Sequence, residues 1–489
     1  MRPDRVRLAI LLLLAGAYRV SLLGRGAVAF VDETLYFKAA MALRALAAGH
    51  VRVAVFDLVT NNARPGDALL KLIPASLQAI ALTMGYPVLD PTSLLIPTAC
   101  NVLVSLILLW IVYRLCLVWT AGDEAVSLTV AAVYAMLPSS NVYIRHLFPY
   151  DWALTVALAV LWGIVALEMT GGRVAALAFL AGSVAVIYPG YYPLVGVLAV
   201  ALLVRRAPIV IVAAGLAAPV LMTEALARWA GFSYLASARE LSGTIVGGSF
   251  DEGWVFLPRY LIEVDRAGGI VLIAGAIAFA AVFVRQLTRS RHVPVVHWIL
   301  AAAATGWAWQ AILSSAARKM VLYGRLIHPW IALLAIALAV ALHAIPSRQF
   351  KLACCQLALL AALVGLAITG AQYNHLAYPR DVLHALAVDP SAAPPARRVC
   401  EFELTQLYEA PPPARRETRS RPTDRLLMIN MCQGNPTADR VAGVPSTAVP
   451  VFDGPHFEQY PAYQFEGYTP SQRAMLRARD YRVAVYELR

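Results

Sequence analysis

The chain has 489 residues, 60% of them hydrophobic and 14% charged, with a net charge of +12 and a mean hydropathy of +0.65. Soluble domains carry about 25% charged residues, so these values exclude an ordinary soluble protein. The basic excess does not imply nucleic acid: much of it falls at the ends of apolar runs, where basic residues set the orientation of membrane helices.

Many runs reach the ~20 apolar residues needed to cross a bilayer. In chain order the predicted spans are 8–30, 93–112, 125–144, 152–168, 174–188, 190–204, 207–225, 267–284, 294–314, 326–344 and 352–370. This is an all-α polytopic membrane protein with about 11 membrane segments. The first run follows MRPDRVR and resembles a signal peptide, but its length and the spans after it favour a retained helix. Arg2, Arg5 and Arg7 put the N-terminus in the cytoplasm. Alternation then gives inner loops holding Arg114, Arg173, Arg205 with Arg206, Arg285 with Arg289 and Arg291, and Arg348 with Lys351.

The run 174–204 is interrupted by YPGYYP (188–193) and flanked by Arg on both sides. One long helix would leave one flank outside, whereas a re-entrant pair meeting at Pro189 and Gly190 keeps both inside. Broken backbone at membrane depth is tolerated only against protein or a wet cavity, so this turn is expected to line one. The segments 31–92 and 226–266 read as large outer loops. Residues 371–489 read as a separate extracytoplasmic domain, small and α/β or β, around the Pro- and Arg-rich loop 410–422. RRVCEFEL, RLLMINMC and RVAVYELR read as its strands. Cys400 and Cys432 lie in this tail, where an oxidising compartment would let them pair. Cys100, Cys116, Cys354 and Cys355 read as small core residues.

Signatures of soluble enzymes are absent: there is no P-loop, no GxGxxG after a strand, no HExxH and no GxSxG. Chemistry must therefore come from polar groups gathered at the outer face. Asp32 and Glu33 emerge together from the first span in FVDETLYFKAAMALRALAAGH (30–50). Acids at that depth are costly without a function, and a helix N-cap is the competing explanation. Asp151 follows Arg145 and His146 and also fits a helix start. Arg145 suits a phosphate through its planar fork and equally suits a snorkelling interfacial role. Arg318, Lys319, Tyr323, Arg325 and His328 crowd an outer loop against the usual inside preference of basic residues. Tyr191 and Tyr192 read as groove lining or as an interfacial aromatic belt.

The order of these stretches (VDETLYFKAA, LPSSNVYIRHLFPYDWALTVALAVLW, the broken YPGYYP pair, KMVLYGRLIHPWIALLAIAL) resembles the GT-C glycosyltransferases that use lipid-phosphate sugar donors, such as protein O-mannosyltransferases and lipid A aminoarabinose transferases. The resemblance covers about residues 5–370. It departs in the first outer loop, where Ala63-Arg64-Pro65-Gly66-Asp67 stands in place of a His-Pro-Pro-type stretch. What it implies is an inverting transfer of a sugar from a polyprenyl phosphate to a cell-envelope lipid, polysaccharide or protein. Residues 1–370 would then be the catalytic domain. The alternation of spans makes 371–489 periplasmic, and the absence of an organelle signal with the Ala- and Arg-rich composition points to a bacterial inner membrane. Asp32, partnered by Glu33, would be the base. Arg145, Arg318, Lys319 and Arg325 would hold the donor phosphate, and His146, Asp151, Tyr191, Tyr192, Tyr323 and His328 the substrates. No cofactor is assigned, and a divalent metal between acids stays open. The alternatives are a lipid-linked sugar flippase or transporter, and an oligosaccharide ligase or polymerase.

Overall fold

The structure is a computed structural model, and it describes residues 3–23, 39–61, 64–65, 76–77, 91–146, 149–245, 253–289, 293–317, 322, 324–370, 425–430, 447, 449–453 and 482–487. Asp32, Glu33, Arg318, Lys319, Tyr323, Cys400, Cys432 and the strand expected at RRVCEFEL lie outside the described residues.

Apolar runs become helices because, in the absence of water, only a helix satisfies all of its own backbone groups. The helices are α1 (Pro3–Ser21), α2 (Ala39–Ala47), α3 (Val51–Val59), α4 (Pro91–Trp119), α5 (Glu124–Met136), α6 (Pro138–Asn141), α7 (Tyr150–Ala166), α8 (Gly171–Ile187), α9 (Tyr192–Val204), α10 (Ile209–Ala230), α11 (Tyr234–Ile245), α12 (Gly253–Tyr260), α13 (Ala267–Arg289), α14 (Val295–Ser315), α15 (Gly324–His343) and α16 (Arg348–Gly365). Five of the described segments are long and apolar enough to cross a membrane: Leu95–Trp119, Ile209–Ala230, Ala267–Arg289, Gly324–His343 and Arg348–Gly370. Four more, Glu124–Met136, Tyr150–Ala166, Gly171–Ile187 and Pro189–Val204, are apolar but shorter.

The sequence expectation needs three corrections. The run 125–144 is not one helix. Leu137 takes the extended conformation that a following proline favours, α5 stops at Met136, and Pro138 opens the one-turn α6. The segment 226–266 is not only loop, since it holds α11, α12 and a π-helical turn at Leu261–Asp265. The segment 31–92 likewise holds the α2–α3 hairpin and a two-residue ladder of β1 (Thr60–Asn61) with β2 (Arg64–Pro65).

The helices run alternately between two ends. At one end Asp123, in the α4–α5 turn, accepts from Lys351 Nζ at 2.9 Å and lies 3.3 Å from His343 Nδ1. At that same end Arg205 Nη2 donates to the Leu167 carbonyl at 3.3 Å, so α9 returns to the level at which α7 finished. The pair α8–α9 therefore doubles back through the single 3-10 turn Pro189–Tyr191, as YPGYYP predicted. The opposite end carries Asp151. There the broken backbone between α5 and α7 meets the ends of α1, α13 and α16.

At the centre stands α15, 89% buried and packed on α4, α5, α13 and α14. Its neighbours α13 and α16, and α10 packed on α8, are buried only on one side and present Ile277, Leu357 and Leu221 outward. An apolar outward face of this kind fits a lipid solvent. Helices α8 and α10 touch through small residues: a Cβ on Gly182 would lie 2.3 Å from the Leu216 carbonyl oxygen, and one on Gly215 would lie 2.5 Å from Ala178 Cβ.

Beyond the helices, β3 (Arg425–Asn430), β4 (Val449–Asp453) and β5 (Arg482–Glu487) form an antiparallel sheet in the order β3-β5-β4. Two of these strands coincide with RLLMINMC and RVAVYELR. The third, β4, carries Pro450 on a sheet edge beside a register shift, which is where a proline is tolerated.

Asp123 generates a test of the helix ends. Burial raises its carboxyl pKa, but bonds from Lys351, the Val126 N–H and His343 outweigh this and hold it below the ordinary value. A depressed folded-state pKa stabilises at pH above the unfolded value of ~3.9 and loses that contribution as pH falls through the folded one. Asp123→Ala removes both the helix cap and the Lys351 bond, at a cost of about 2 kcal/mol. Thermal unfolding in detergent should show a gap between wild type and variant that is constant from neutral pH to about pH 5 and closes below about pH 4. A gap that widens on acidification contradicts this account.

Candidate functional site

The Asp151 end is built around a helix broken in an apolar setting. Terminating α5 at Pro138 strands carbonyl groups that water would otherwise satisfy. The residues after the proline supply the partners. Ser140 Oγ donates to the Tyr134 carbonyl at 2.6 Å, and Asn141 Nδ2 donates to the carbonyls of Ala135 and Leu137 at 2.9 and 2.8 Å. Ser139 donates through its N–H and its hydroxyl to the two oxygens of Asp265, at 2.9 and 2.7 Å. All four residues of α6 are buried.

Arg19 closes this knot from α1. It is 1% exposed; its Nε donates to Asn141 Oδ1 at 3.0 Å, and its Nη1 to the Ser105 carbonyl and hydroxyl at 2.9 and 3.1 Å. Next to it, Asn101 of α4 binds the irregular segment after α6. Its Nδ2 donates to the His146 carbonyl at 2.7 Å, and its Oδ1 accepts from Trp152 Nε1 at 2.8 Å. Arg145 and His146 are therefore held inside the bundle, not on its surface.

Over this base lies a closed ring of aromatic side chains. Tyr143 meets Tyr150 edge-on at 4.9 Å, Tyr150 meets Tyr188 at 4.9 Å, and Tyr188 meets Tyr191 at 5.0 Å. The Tyr191 hydroxyl lies 3.2 Å from His328 Nδ1, and the His328 ring returns to Tyr143 at 5.7 Å. Gly190 allows this approach: a Cβ there would fall 2.5 Å from Leu326 and 2.6 Å from the Tyr188 ring. Arg325 adds its Nη1, donating to the Tyr150 hydroxyl at 3.3 Å.

Inside the ring, His328 Nε2 faces Asp151 Oδ1 at 3.6 Å. That is beyond hydrogen-bond range, and Nε2 has no partner among the described residues. If Tyr191 donates to Nδ1, the imidazole proton sits on Nε2 and points at the carboxylate. Asp151 is 5% exposed and accepts no hydrogen bond from the described residues. Its electrostatic counterpart is Arg19. An interior carboxylate left this poorly satisfied is costly, and such exceptions call for an explanation.

Of the residues singled out from sequence, Asp151, Tyr191, Arg325 and His328 come together here, with Arg145 and His146 in the adjoining buried segment. Tyr192 does not join them. It is 44% exposed and bonds to Trp309 while Tyr191 turns inward. Arg19, Asn101, Ser139, Asn141 and Asp265 were not singled out as site residues. A proline followed by three polar residues inside an apolar run was the signal for α6, and a lone Arg near the end of the first span was the signal for its partner. Among the described residues no group of three or more His, Cys, Asp and Glu side chains is gathered as metal ligands.

Opposite charges buried without direct contact should couple energetically. Replacing Arg19 by Met leaves Asp151 uncompensated and should cost about 3–5 kcal/mol, seen as a lower unfolding midpoint in detergent. Asp151→Asn should then be less damaging, or stabilising, in the Arg19→Met background. Strictly additive effects would contradict the pairing.

No protein-family model, curated protein or solved structure matches this chain.

Proposed function

We propose that this chain is an inverting membrane glycosyltransferase that moves a sugar from a polyprenyl-phosphate donor to a cell-envelope lipid, polysaccharide or protein. In this reading the protein has the GT-C architecture with about 11 membrane segments, its N-terminus is cytoplasmic, and the Asp151 end opens to the periplasmic side of a bacterial inner membrane. The tail 371–489 is a periplasmic domain. The observation that carries the reading is the Asp151 carboxylate, buried and without a hydrogen bond from the described residues, with His328 Nε2 at 3.6 Å and a guanidinium on the neighbouring Tyr150. A carboxylate that orients the acceptor, an imidazole that positions it and a cation that binds phosphate are groups such a transfer uses beside its base.

The chemistry is one displacement. The acceptor hydroxyl oxygen attacks the anomeric carbon, the bond from that carbon to the phosphate oxygen breaks, and the polyprenyl phosphate leaves with the bonding pair. The hydroxyl proton passes to a carboxylate. Asp32, partnered by Glu33, is assigned as the base, and Asp151 is assigned to orient the acceptor. Arg325 and Arg145, with Arg318 and Lys319, neutralise the phosphate. A single displacement inverts the anomeric carbon, by the geometry that governs inverting hydrolases.

A transporter of the same lipid is the second reading, and it would gather ionisable groups near the midplane between helices. Here the charged side chains of the described helices lie toward the two ends, as with Arg19, Asp151, Arg325 and Lys351. That distribution does not match a midplane transport site.

Proteoliposomes containing the full chain and a radiolabelled polyprenyl-phosphate sugar test the proposal. Wild type should form a new glycosidic bond, Asp32→Asn should lower the rate about 10²–10⁴-fold, and Arg325→Gln should weaken use of the donor. Movement of the lipid without a new bond supports the transporter, and unchanged transfer in Asp32→Asn removes its role as base.

A further inference from the structure

A second polar site lies at the other end of the bundle, on the outside. Helix α4 shows an apolar stripe to its surroundings through Leu103, Ile107 and Val118, which are 58%, 43% and 41% exposed. Positions 103, 107, 110, 114 and 118 follow the helical repeat, so Arg114 stands in the middle of that stripe with Trp110 one turn before it. A cation on such a face is costly unless it finds water, a headgroup or an anion.

The side chain is not left loose. Its guanidinium carbon lies 5.8 Å from the centre of the Trp110 ring and 5.6 Å from that of Trp162 on α7, while the two indoles meet edge-to-face at 5.4 Å. Stacking between two indoles fixes the plane of the fork. Yet Arg114 donates no hydrogen bond to the described residues and pairs with no carboxylate among them. Arg114 Nε and Trp162 Nε1 are both buried donors without acceptors among the described residues. Asp123, the nearest acid in sequence, is occupied by Lys351 and His343. Snorkelling accounts for an arginine near a helix end, but not for a clamp that withholds it from acceptors.

Arg114 lies five residues before the end of α4, about 7.5 Å along the axis. From there the stripe runs through Ile107 to Leu103, toward the middle of the bundle. Phosphate oxygens match the fork, and acyl chains match the stripe. From this we infer that Arg114, Trp110 and Trp162 form a site for the phosphate of a bilayer phospholipid whose acyl chains lie along Ile107 and Leu103. A free anion would have no use for the stripe. The inference is independent of the proposed enzyme activity.

Native mass spectrometry of the full chain in detergent, titrated with dioleoyl phosphatidylglycerol, dioleoylglycerol or inorganic phosphate, tests this. Wild type should retain one phosphatidylglycerol at least tenfold more tightly than Arg114→Gln and several-fold more tightly than Trp162→Phe, which replaces one indole of the clamp by a smaller ring that holds the fork less firmly. Dioleoylglycerol should not distinguish the three proteins. Equal phosphatidylglycerol binding by all three overturns the site, and inorganic phosphate competing at the same concentration as the lipid overturns the assignment to a lipid. Should Arg114→Gln fail to fold, Arg114→Lys and Trp162→Phe carry the test: weakened binding supports the site, and unchanged binding in both overturns it.

Discussion

The architecture at the Asp151 end depends on keeping broken backbone and buried charge satisfied where water is scarce. Pro138 ends one helix inside the bundle, and the resulting open carbonyls are met by Ser140 and Asn141. Asn141 in turn accepts from Arg19, which also binds Ser105, so a single guanidinium joins α1, α4 and α6. Hydrogen bonds of this kind matter more in an apolar surround, because an unsatisfied partner there pays its full desolvation cost. Asp265 performs the same service for Ser139 from the π-helical turn before α13. With these bonds made, the segment leading to Asp151 has a fixed path.

That fixed path distinguishes the scaffold from the groups it leaves unsatisfied. Arg19, Asn101 and Asn141 each hold hydrogen bonds across helices, and they read as structure. Asp151 and His328 Nε2 sit a few ångströms away in the same interior and are not engaged with each other at bonding distance. A hydroxyl or phosphate oxygen placed against both would complete the contacts, as apo sites often tighten only around their ligand. The surrounding tyrosines supply rigid walls at low entropy cost, since edge-to-face packing holds each ring against the next. His328 belongs to the first turns of α15, the most enclosed of the long helices, so its position is set by packing on all sides.

Much of the helical layout was legible in the sequence because hydrophobic run length dominates it. The doubling back at YPGYYP was also readable, from the basic residues on both flanks of one apolar run. Less legible was where apolar runs break. The run 125–144 looked continuous because a single proline among apolar residues does not say whether a helix kinks or stops, and the deciding partner, Asp265, is 126 residues away. The site followed the same division. Asp151, His328 and Arg325 stood out as charges at the ends of apolar runs, and the fold brings them together. Asn101 and Ser105 did not stand out, since small polar residues in a span are common, and only their partners in α7 and α1 give them meaning. Tyr191 and Tyr192 are neighbours in sequence with the same chemistry, yet one faces the ring and the other the exterior; local helix geometry decided that.

The central claim is that Asp151, His328 and Arg325 surround one binding position for a sugar phosphate. The most direct measurement is an electron cryo-microscopy map of the full chain in a nanodisc with a non-cleavable polyprenyl-phosphonate sugar. The account predicts the phosphonate against Arg325 and the anomeric carbon within reach of the Asp151 wall, inside the tyrosine ring. Phosphonate density elsewhere, with the ring collapsed and Asp151 hydrogen-bonded to protein alone, would contradict it.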